Sequence, residues 1–279
     1  MKSHEYPPTT SSHPVKLIAT DLDGTFLGAD GVPSPDNCDA VLRAAEVGVP
    51  TIFATGRPAR WLQPLSHVRA AHPTVITSNG ALVVDMDTAD VLHAFPVDTQ
   101  VAADVLVDIH RALPRASFAV EYVTGWGRDE QYPMPGDLVE ADHIVSDPLD
   151  LLVEESAPLK LLVRADMSTI DLAHAVIPIV DGRLSATFSV VLESGFLELS
   201  RTDVSKASAL SVVLDDLHVS PQDVAAFGDM PNDLPMLDLV GHPFIMDNAH
   251  SSLIERGFPQ CGHHDDSAFA RTVRALLDI

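Results

Sequence analysis

The sequence is poor in basic residues: 17 Lys and Arg stand against 40 Asp and Glu, a formal net charge of −23 over 279 residues. A field of that sign repels nucleic acid and anionic membranes, so neither is expected as a partner. It also opposes an anionic substrate, which has to be drawn in by local positive groups. No apolar run in the sequence approaches the length of a membrane-spanning helix. Residues 1–14 are polar, carry prolines and lack an apolar h-region, so they read as a disordered arm and not as a signal peptide. Cysteine is nearly absent: Cys38 and Cys261 lie far apart, have no metal-ligand spacing and suit a reducing cytosol, so the expected location is cytoplasmic. The 13 histidines, His263-His264 included, show no ligand spacing and are expected at the surface. Internal repeats and low-complexity segments are also missing.

What the chain does have is 46% apolar residues, enough for a sizeable core in one large domain or two modest ones. Over residues 15–84 short apolar runs alternate with helical patterns. Strands are expected over 17–19, 50–54 and 74–77, helices over 36–47 and 58–68, and a Gly-rich hairpin-like excursion over 26–33. Short buried strands separated by helices indicate a parallel sheet. The rhythm changes near Asp85. Strand-like pieces over 92–97, 117–123, 159–163 and 188–192, with helices over 101–113 and 169–180, suggest a separate α+β insert. The first rhythm then resumes with a helix over 206–217, a strand over 224–227, a helix over 232–238 and a strand-like piece over 243–246. The expected fold is therefore α/β: a Rossmann-like doubly wound parallel core over 15–84 and 201–279, interrupted by an α+β cap over 85–200.

The chemistry concentrates where these strands end. Asp21-Leu-Asp23-Gly-Thr25 closes the first apolar run. Side chains at i and i+2 of an extended strand share a side, so Asp21 and Asp23 would face one site while Leu22 turns to the core. Two adjacent carboxylates repel unless a cation lies between them, and hard oxygen donors favour Mg²⁺. One could attack phosphorus while the other handles protons. A plain strand followed by an Asp-Gly turn is the other reading.

Each further motif leaves two readings open. In Ala54-Thr55-Gly56-Arg57-Pro58, Thr55 can cap a helix or bind a phosphate oxygen beside backbone N–H groups at the helix start. Arg57 is either a solvated turn residue or a substrate clamp. Asn79-Gly80 is a hairpin turn or the mouth of a site. Lys206, in the first turn of a helix, opposes the macrodipole, which fits a charge that balances a carboxylate and a phosphoryl group as well as a surface position. Asp229 can supply a third oxygen to a metal, and Asn232 and Asp233 open the next helix, where Asp233 can orient metal-bound water or form a cap box. An open parallel sheet gathers such strand ends at one edge. Four carboxylates there carry −4 against +3 from one Mg²⁺ and Lys206.

Taken together, Asp21-Leu-Asp23-Gly-Thr25, Ala54-Thr55-Gly56-Arg57, Ser78-Asn79-Gly80-Ala81, Ser205-Lys206 and Gly228-Asp229-Met-Pro-Asn232-Asp233 resemble the haloacid dehalogenase superfamily, and more narrowly its Cof-like phosphatases with a large α/β cap. Phe244-Ile-Met-Asp247-Asn248-Ala249 resembles the family's next strand and turn, with Asp247 where glycine is usual. The resemblance implies a Mg²⁺-dependent phosphatase of small phosphorylated metabolites such as sugar, nucleotide or cofactor phosphates. In that scheme Asp21 is the nucleophile that forms an aspartyl-phosphate, and Asp23 is the acid and base. Thr55 and Lys206 bind the phosphoryl group, with Gly56, Arg57, Asn79 and Asn232 further candidates for binding substrate. Asp21, Asp23 through its backbone carbonyl, and Asp229 hold the metal, with Asp233 and Asn232 in support. A phosphomutase or phosphotransferase of the same superfamily would use the same residues. A phospho-acceptor signalling domain would lack both the second aspartate and the insert, and a silent binding protein would not need every motif residue. Within the cap, Glu121, Tyr122, Trp126 and Arg128 either pack its sheet or set specificity.

Overall fold

A computed structural model describes residues 13–133, 143–152, 157–188 and 190–279. Of the expected arm over 1–14, residues 1–12 lie outside the described residues. The chain forms two compact units, one running to His93 and resuming over Ser205–Ile279, the other Ala94–Val204. In chain order the first unit opens with β1 (Leu17–Thr20), α1 (Pro35–Glu46), β2 (Thr51–Ala54), β3 (Thr74–Thr77), β4 (Leu82–Asp85) and β5 (Val91–Ala94). The inserted unit holds α2 (Thr99–Ala112), β6 (Ser117–Glu121), β7 (Trp126–Arg128), β8 (Ile144–Val145), β9 (Lys160–Arg164), α3 (Thr169–Val180), β10 (Ser185–Thr187) and β11 (Phe196–Ser200). The first unit then resumes with α4 (Lys206–Leu217), β12 (Val224–Gly228), α5 (Leu234–Leu239), β13 (His242–Ile245), α6 (Ser251–Ile254) and α7 (Ala268–Leu277).

The first unit's sheet runs β13-β12-β1-β2-β3-β4-β5. The pairs β13/β12, β12/β1, β1/β2 and β2/β3 are parallel, and β4 turns back antiparallel on β3. The chain leaves β1 toward β2 and β3 on one side and returns through β12 and β13 on the other. That reversal at β1 is the topological switch point, where open α/β sheets leave a crevice at the strands' carboxyl ends. This is the expected α/β architecture. The units divide at 93/94 and 204/205, where the sequence pattern placed the change at 84/85 and 200/201; β5 extends the first sheet past residue 85.

The inserted unit is an α+β layer with strand order β10-β11-β9-β6-β7-β8, mostly antiparallel. Alternate residues Phe118, Val120, Leu161, Val163, Leu197 and Leu199 form one core with Leu106 and Ile109 of α2 and Leu172 and Val176 of α3. The other sheet face buries polar groups, including an ion pair between Lys160 and Glu198.

Three expectations need correction. The helix expected over 58–68 is a pair of 3-10 turns, Ala59–Trp61 and Gln63–Ala71. Pro64 has no N–H to give an α-helical ladder, and its ring clashes with the preceding turn. The strand expected over 188–192 is displaced on both sides into β10 and β11, and residue 189 lies outside the described residues. The helix expected over 232–238 begins as a 3-10 turn, Pro231–Asp233, and becomes α-helical only over α5.

Under the strand ends of the first unit lies an aromatic cluster. Phe26 packs edge-on against Phe53 at 4.9 Å and Phe269 at 5.3 Å, and Phe227 meets Phe269 at 5.0 Å and Phe244 at 5.2 Å. Such pairs add ~0.5–1.5 kcal/mol beyond area burial. They tie β2, β12, β13 and α7 to the turn that follows β1. Phe269 is fully buried at the junction of the cluster. Phe269→Ala is therefore expected to destabilise the protein by ~3–5 kcal/mol in urea unfolding. A loss below ~1 kcal/mol would mean that the cluster does not brace this end of the sheet.

Candidate active site

The turn after β1 is built for close approach. Leu22–Phe26 makes one wide turn closed by Leu27 N–H on Leu22 O at 2.9 Å, with Gly24 at φ 79°. A Cβ on Gly24 would collide with the Asp229 carboxylate, so only glycine lets the two segments meet. Asp21 N–H donates to Phe227 O at 3.0 Å, which carries the β1/β12 ladder one residue beyond β1 and sets Asp21 beside the end of β12.

Lys206 is the first residue of α4, whose start is fixed by a reciprocal cap: Ser208 N–H donates to Ser205 Oγ at 3.1 Å and Ser205 N–H to Ser208 Oγ at 2.8 Å. Gly80, at φ 106°, presses against that start, and a Cβ there would overlap the Ser205 carbonyl. Lys206 is 1% exposed. Its Nζ donates to Asp21 Oδ1 at 2.5 Å and to Asp233 Oδ1 at 2.7 Å. The other oxygen of Asp233 accepts Asp229 N–H and Met230 N–H, both at 3.0 Å. Both Asp233 oxygens are therefore engaged in holding Lys206 and the Asp229 turn. Asp229 Oδ1 accepts Thr25 Oγ–H at 3.1 Å, and Asn248 Nδ2 donates to Gly24 O at 2.8 Å and approaches Asp229 Oδ2 at 3.4 Å.

Oxygens of Asp21, Asp229 and Asp233 lie within 4.8 Å of one another. Fully ionised, these three give −3 against the +1 of Lys206, a deficit that one divalent cation would match. Burial pushes the Asp21 carboxyl well above its usual range, although Lys206 opposes the rise; the neighbouring aspartates add to it. Asp229 is pushed up to about 7, first by burial and then by Asp233. Burial alone would lower Lys206, but Asp21 and Asp233 outweigh it and raise its pKa. An all-oxygen donor set holding protons it would shed to a cation fits Mg²⁺.

The Asp23 carboxylate is not in this cluster. Arg57 grips it bidentately, Nε to Oδ2 at 2.8 Å and Nη2 to Oδ1 at 2.5 Å, and that bond raises the guanidinium pKa. The metal role expected of Asp23 concerned its backbone carbonyl and not this carboxylate. Thr55 is fully buried, and its Oγ accepts Arg57 N–H at 3.1 Å in a local turn. It caps no helix, since the next turn starts at Ala59 with Pro58 ahead of it, and Gly56 lies in the turn between Thr55 and Arg57. The helix-start argument for phosphate binding therefore falls, while the hydroxyl stays at the end of β2. Asn79 takes the turn reading: at φ 58° it sits in the tight turn joining β3 to β4, and its Oδ1 accepts Asn232 Nδ2 at 3.0 Å.

Thr25 and Asn248 belong to these motifs, and the sequence assigns neither a role. Their partner Asp229 lies 204 and 19 residues away, and no local pattern reveals that. Asp247, the departure from the usual glycine, is not among the described residues with positive φ. In the inserted unit, Tyr122 Oη–H donates to Leu151 O at 2.7 Å, Trp126 stacks on His143 at 4.8 Å, and Arg128 Nε–H donates to the same imidazole at 3.1 Å. Glu121 is buried. These contacts support the packing reading of that group.

A family model for haloacid dehalogenase-like hydrolases matches residues 18–273, and the chain belongs to that family. It is an enzyme, a hydrolase whose named relatives are phosphatases, and within the superfamily it is a Cof-like member with an α/β cap. The HMP-PP phosphatase of Enterobacter sp. (strain 638) is 30% identical over 273 residues, 94% of this chain and 96% of that protein. A phosphatase of the same superfamily from Bacteroides thetaiotaomicron superimposes with a TM-score of 0.81 at 25% identity, over 99% of this chain and 100% of that one. A subclass IIB sugar phosphatase shares the fold, with a TM-score of 0.79 at 14% identity over 95% and 100% of the two chains.

The raised pKa of Asp229 has a measurable consequence in chelator. The unfolded chain releases this proton near 3.8 and the folded chain only at about 7, so stability falls as pH rises between those values. Asp229→Asn removes that loss. In EDTA its Tm should exceed that of the unaltered protein at pH 8 and match it near pH 4. A lower Tm at pH 8 would mean that the surroundings do not raise the Asp229 pKa.

Proposed function

We propose that the protein is a Mg²⁺-dependent phosphatase of small phosphorylated metabolites, working in the cytoplasm through an aspartyl-phosphate on Asp21. The observation that carries this reading is a buried lysine bonded to Asp21 in a pocket that is short of positive charge. An ordinary ion pair needs one carboxylate for one lysine, and the excess here suits a dianionic phosphoryl group only when a cation accompanies it. The relationship to a named phosphatase over 94% of the chain supports the substrate class. No described helix is long and apolar enough to cross a membrane.

The carboxylate of Asp21 attacks phosphorus, the bond to the leaving oxygen breaks, and Asp23 donates a proton to that oxygen. Water then attacks the aspartyl-phosphate, Asp23 takes its proton, and phosphate departs with Asp21 restored. Lys206 fixes the direction of the Asp21 carboxylate and, with the Thr55 hydroxyl, offers hydrogen bonds to equatorial phosphoryl oxygens, where positioning and charge neutralisation carry most of the catalysis. Arg57 orients Asp23 through its paired bonds and follows Gly56 in the turn after β2. Asn79 and Asn232, bonded to each other, are candidates for further substrate contacts. Asp21, Asp229 and the Asp23 backbone carbonyl would hold Mg²⁺, with Asp233 and Asn232 supporting them. When bound, the ion supplies positive charge against the phosphoryl oxygens.

Asp21→Asn should reduce turnover on the order of 10³-fold or more, since an amide does not attack phosphorus. Circular dichroism should show the fold intact. EDTA should abolish activity, Mg²⁺ should restore it, and Ca²⁺, with more ligands at longer distances, should restore it poorly. Near-normal turnover by the Asn variant, or full activity in a metal-stripped sample, would sink the mechanism. A panel of phosphorylated sugars, nucleotides, cofactors and HMP-PP would test the substrate class; inactivity toward every phosphorylated compound would refute it.

A further inference from the structure

We propose that His263, His264 and Asp265 form a binding site for a transition-metal dication of the Zn²⁺ or Ni²⁺ type, distinct from the three-aspartate cluster. Both histidines were expected at the surface; His263 is there, whereas His264 is largely covered. Asp265 Oδ2 lies 3.6 Å from His263 Nδ1 and 3.8 Å from His264 Nε2. The three ligand atoms are all within 4.8 Å of one another. Two donors each ~2.0–2.2 Å from a tetrahedral ion stand about 3.3–3.6 Å apart, so the two Asp265–imidazole separations are already at or within a few tenths of an ångström of that spacing.

The surrounding bonds select the atoms that a metal needs. His264 Nδ1 lies 2.8 Å from Leu27 O. A carbonyl only accepts, so the proton resides on Nδ1 and Nε2 keeps a lone pair, the arrangement usual for metal-bound histidines. Asp265 Oδ1 accepts Ala29 N–H at 2.9 Å, which leaves Oδ2 turned to the imidazoles. His263 Nδ1 accepts Asp265 N–H at a long 3.3 Å, a weak cap that a metal bond would replace. The His264 side chain is 10% exposed, whereas those of His263 and Asp265 are 42% and 47% exposed. A cleft of about 460 Å³, lined among others by Asp30, Ser34, His264 and Asp265, gives an ion and its remaining waters a way in.

Donor chemistry separates the two sites. Two imidazoles and one carboxylate prefer Zn²⁺, Ni²⁺ or Cu²⁺, whereas three carboxylates suit Mg²⁺. The sites are also linked through the fold. His264 N–H reaches Asn248 Oδ1 at 3.4 Å, and Asn248 Nδ2 bonds Gly24 O beside Asp229. His264 and Asp265 moreover hold Leu27 and Ala29, which follow directly on the Asp21–Thr25 turn. An ion here would clip that excursion to the segment that leads into α7.

The test uses the full chain, cleared with EDTA and kept in excess Mg²⁺. Zn²⁺ is titrated against a chromogenic chelator, and Co²⁺ is added separately to read its visible absorption. The expected result is one Zn²⁺ per chain, bound equally well by Asp21→Asn, with a Co²⁺ spectrum of low-coordinate nitrogen and oxygen ligation. His263→Gln and Asp265→Asn, checked for folding by circular dichroism, should each weaken Zn²⁺ by about tenfold or more. Absence of Zn²⁺ binding would overturn the proposal. So would binding competed away by Mg²⁺ or lost in Asp21→Asn, or an affinity unchanged by both substitutions at His263 and Asp265.

Discussion

One lysine side chain, closed off from water and divided between two carboxylates, sets the terms for the rest of this site. A buried charge is tolerated only with matched partners, and removal of one partner from such a group typically costs ~3–5 kcal/mol. Lys206 therefore requires Asp21 at the end of β1 and Asp233 at the start of α5 to occupy fixed positions at once. Asp233 in turn holds the backbone of Asp229 and Met230, so one network spans three segments that are far apart in sequence. The glycines at 24 and 80 belong to the same demand. Each permits a backbone approach that any side chain would block, one beside Asp229 and the other beside the start of α4.

The parallel sheet makes this network possible at low entropic cost. Strands β1, β2, β3 and β12 end side by side, and the direction of chain travel reverses at β1, so the residues just past each strand converge without long loops. Behind them the phenylalanine cluster supplies stiffness, and a charged site needs that stiffness because carboxylates this close would otherwise drive the turns apart. Their repulsion is lowered instead by protonation, as the raised pKa values of Asp21 and Asp229 express, or by a divalent ion that replaces the protons. Metal affinity and proton affinity are thus two sides of one electrostatic strain.

Much of this was legible residue by residue. Asp21 and Asp229 stood out because each closes a short apolar run, Lys206 because a lysine in the first turn of a helix opposes the macrodipole, and Asp233 because it opens the helix after Asp229; the strand rhythm placed the runs in one sheet. Thr55 was correctly located and wrongly rationalised: the helix that was to give it a phosphate-binding N-terminus is broken by Pro64 into 3-10 turns. Arg57 and Asn79 were ambiguous because a turn residue and a site residue look alike in a string. Their partners, Asp23 at 34 residues and Asn232 at 153, are contacts that no string position announces. Thr25 and Asn248 carried no signal of their own, since a hydroxyl or amide bonding a distant carboxylate leaves no periodicity.

The amino-acid order by itself determined the secondary-structure rhythm, the parallel core with its insert and which charged residues stand at the strand ends, because these follow from local hydrophobic spacing and from charges placed where strands must end. Only the tertiary structure decided how those groups are shared: that Asp23 is held by Arg57 and kept apart from the other aspartates, that Asp233 spends both oxygens on Lys206 and the Asp229 turn, and that His263, His264 and Asp265 present ligand atoms to one another. Those outcomes depend on distances between atoms tens to hundreds of residues apart or on rotamers chosen by packing. Neither quantity is written in spacing along a chain.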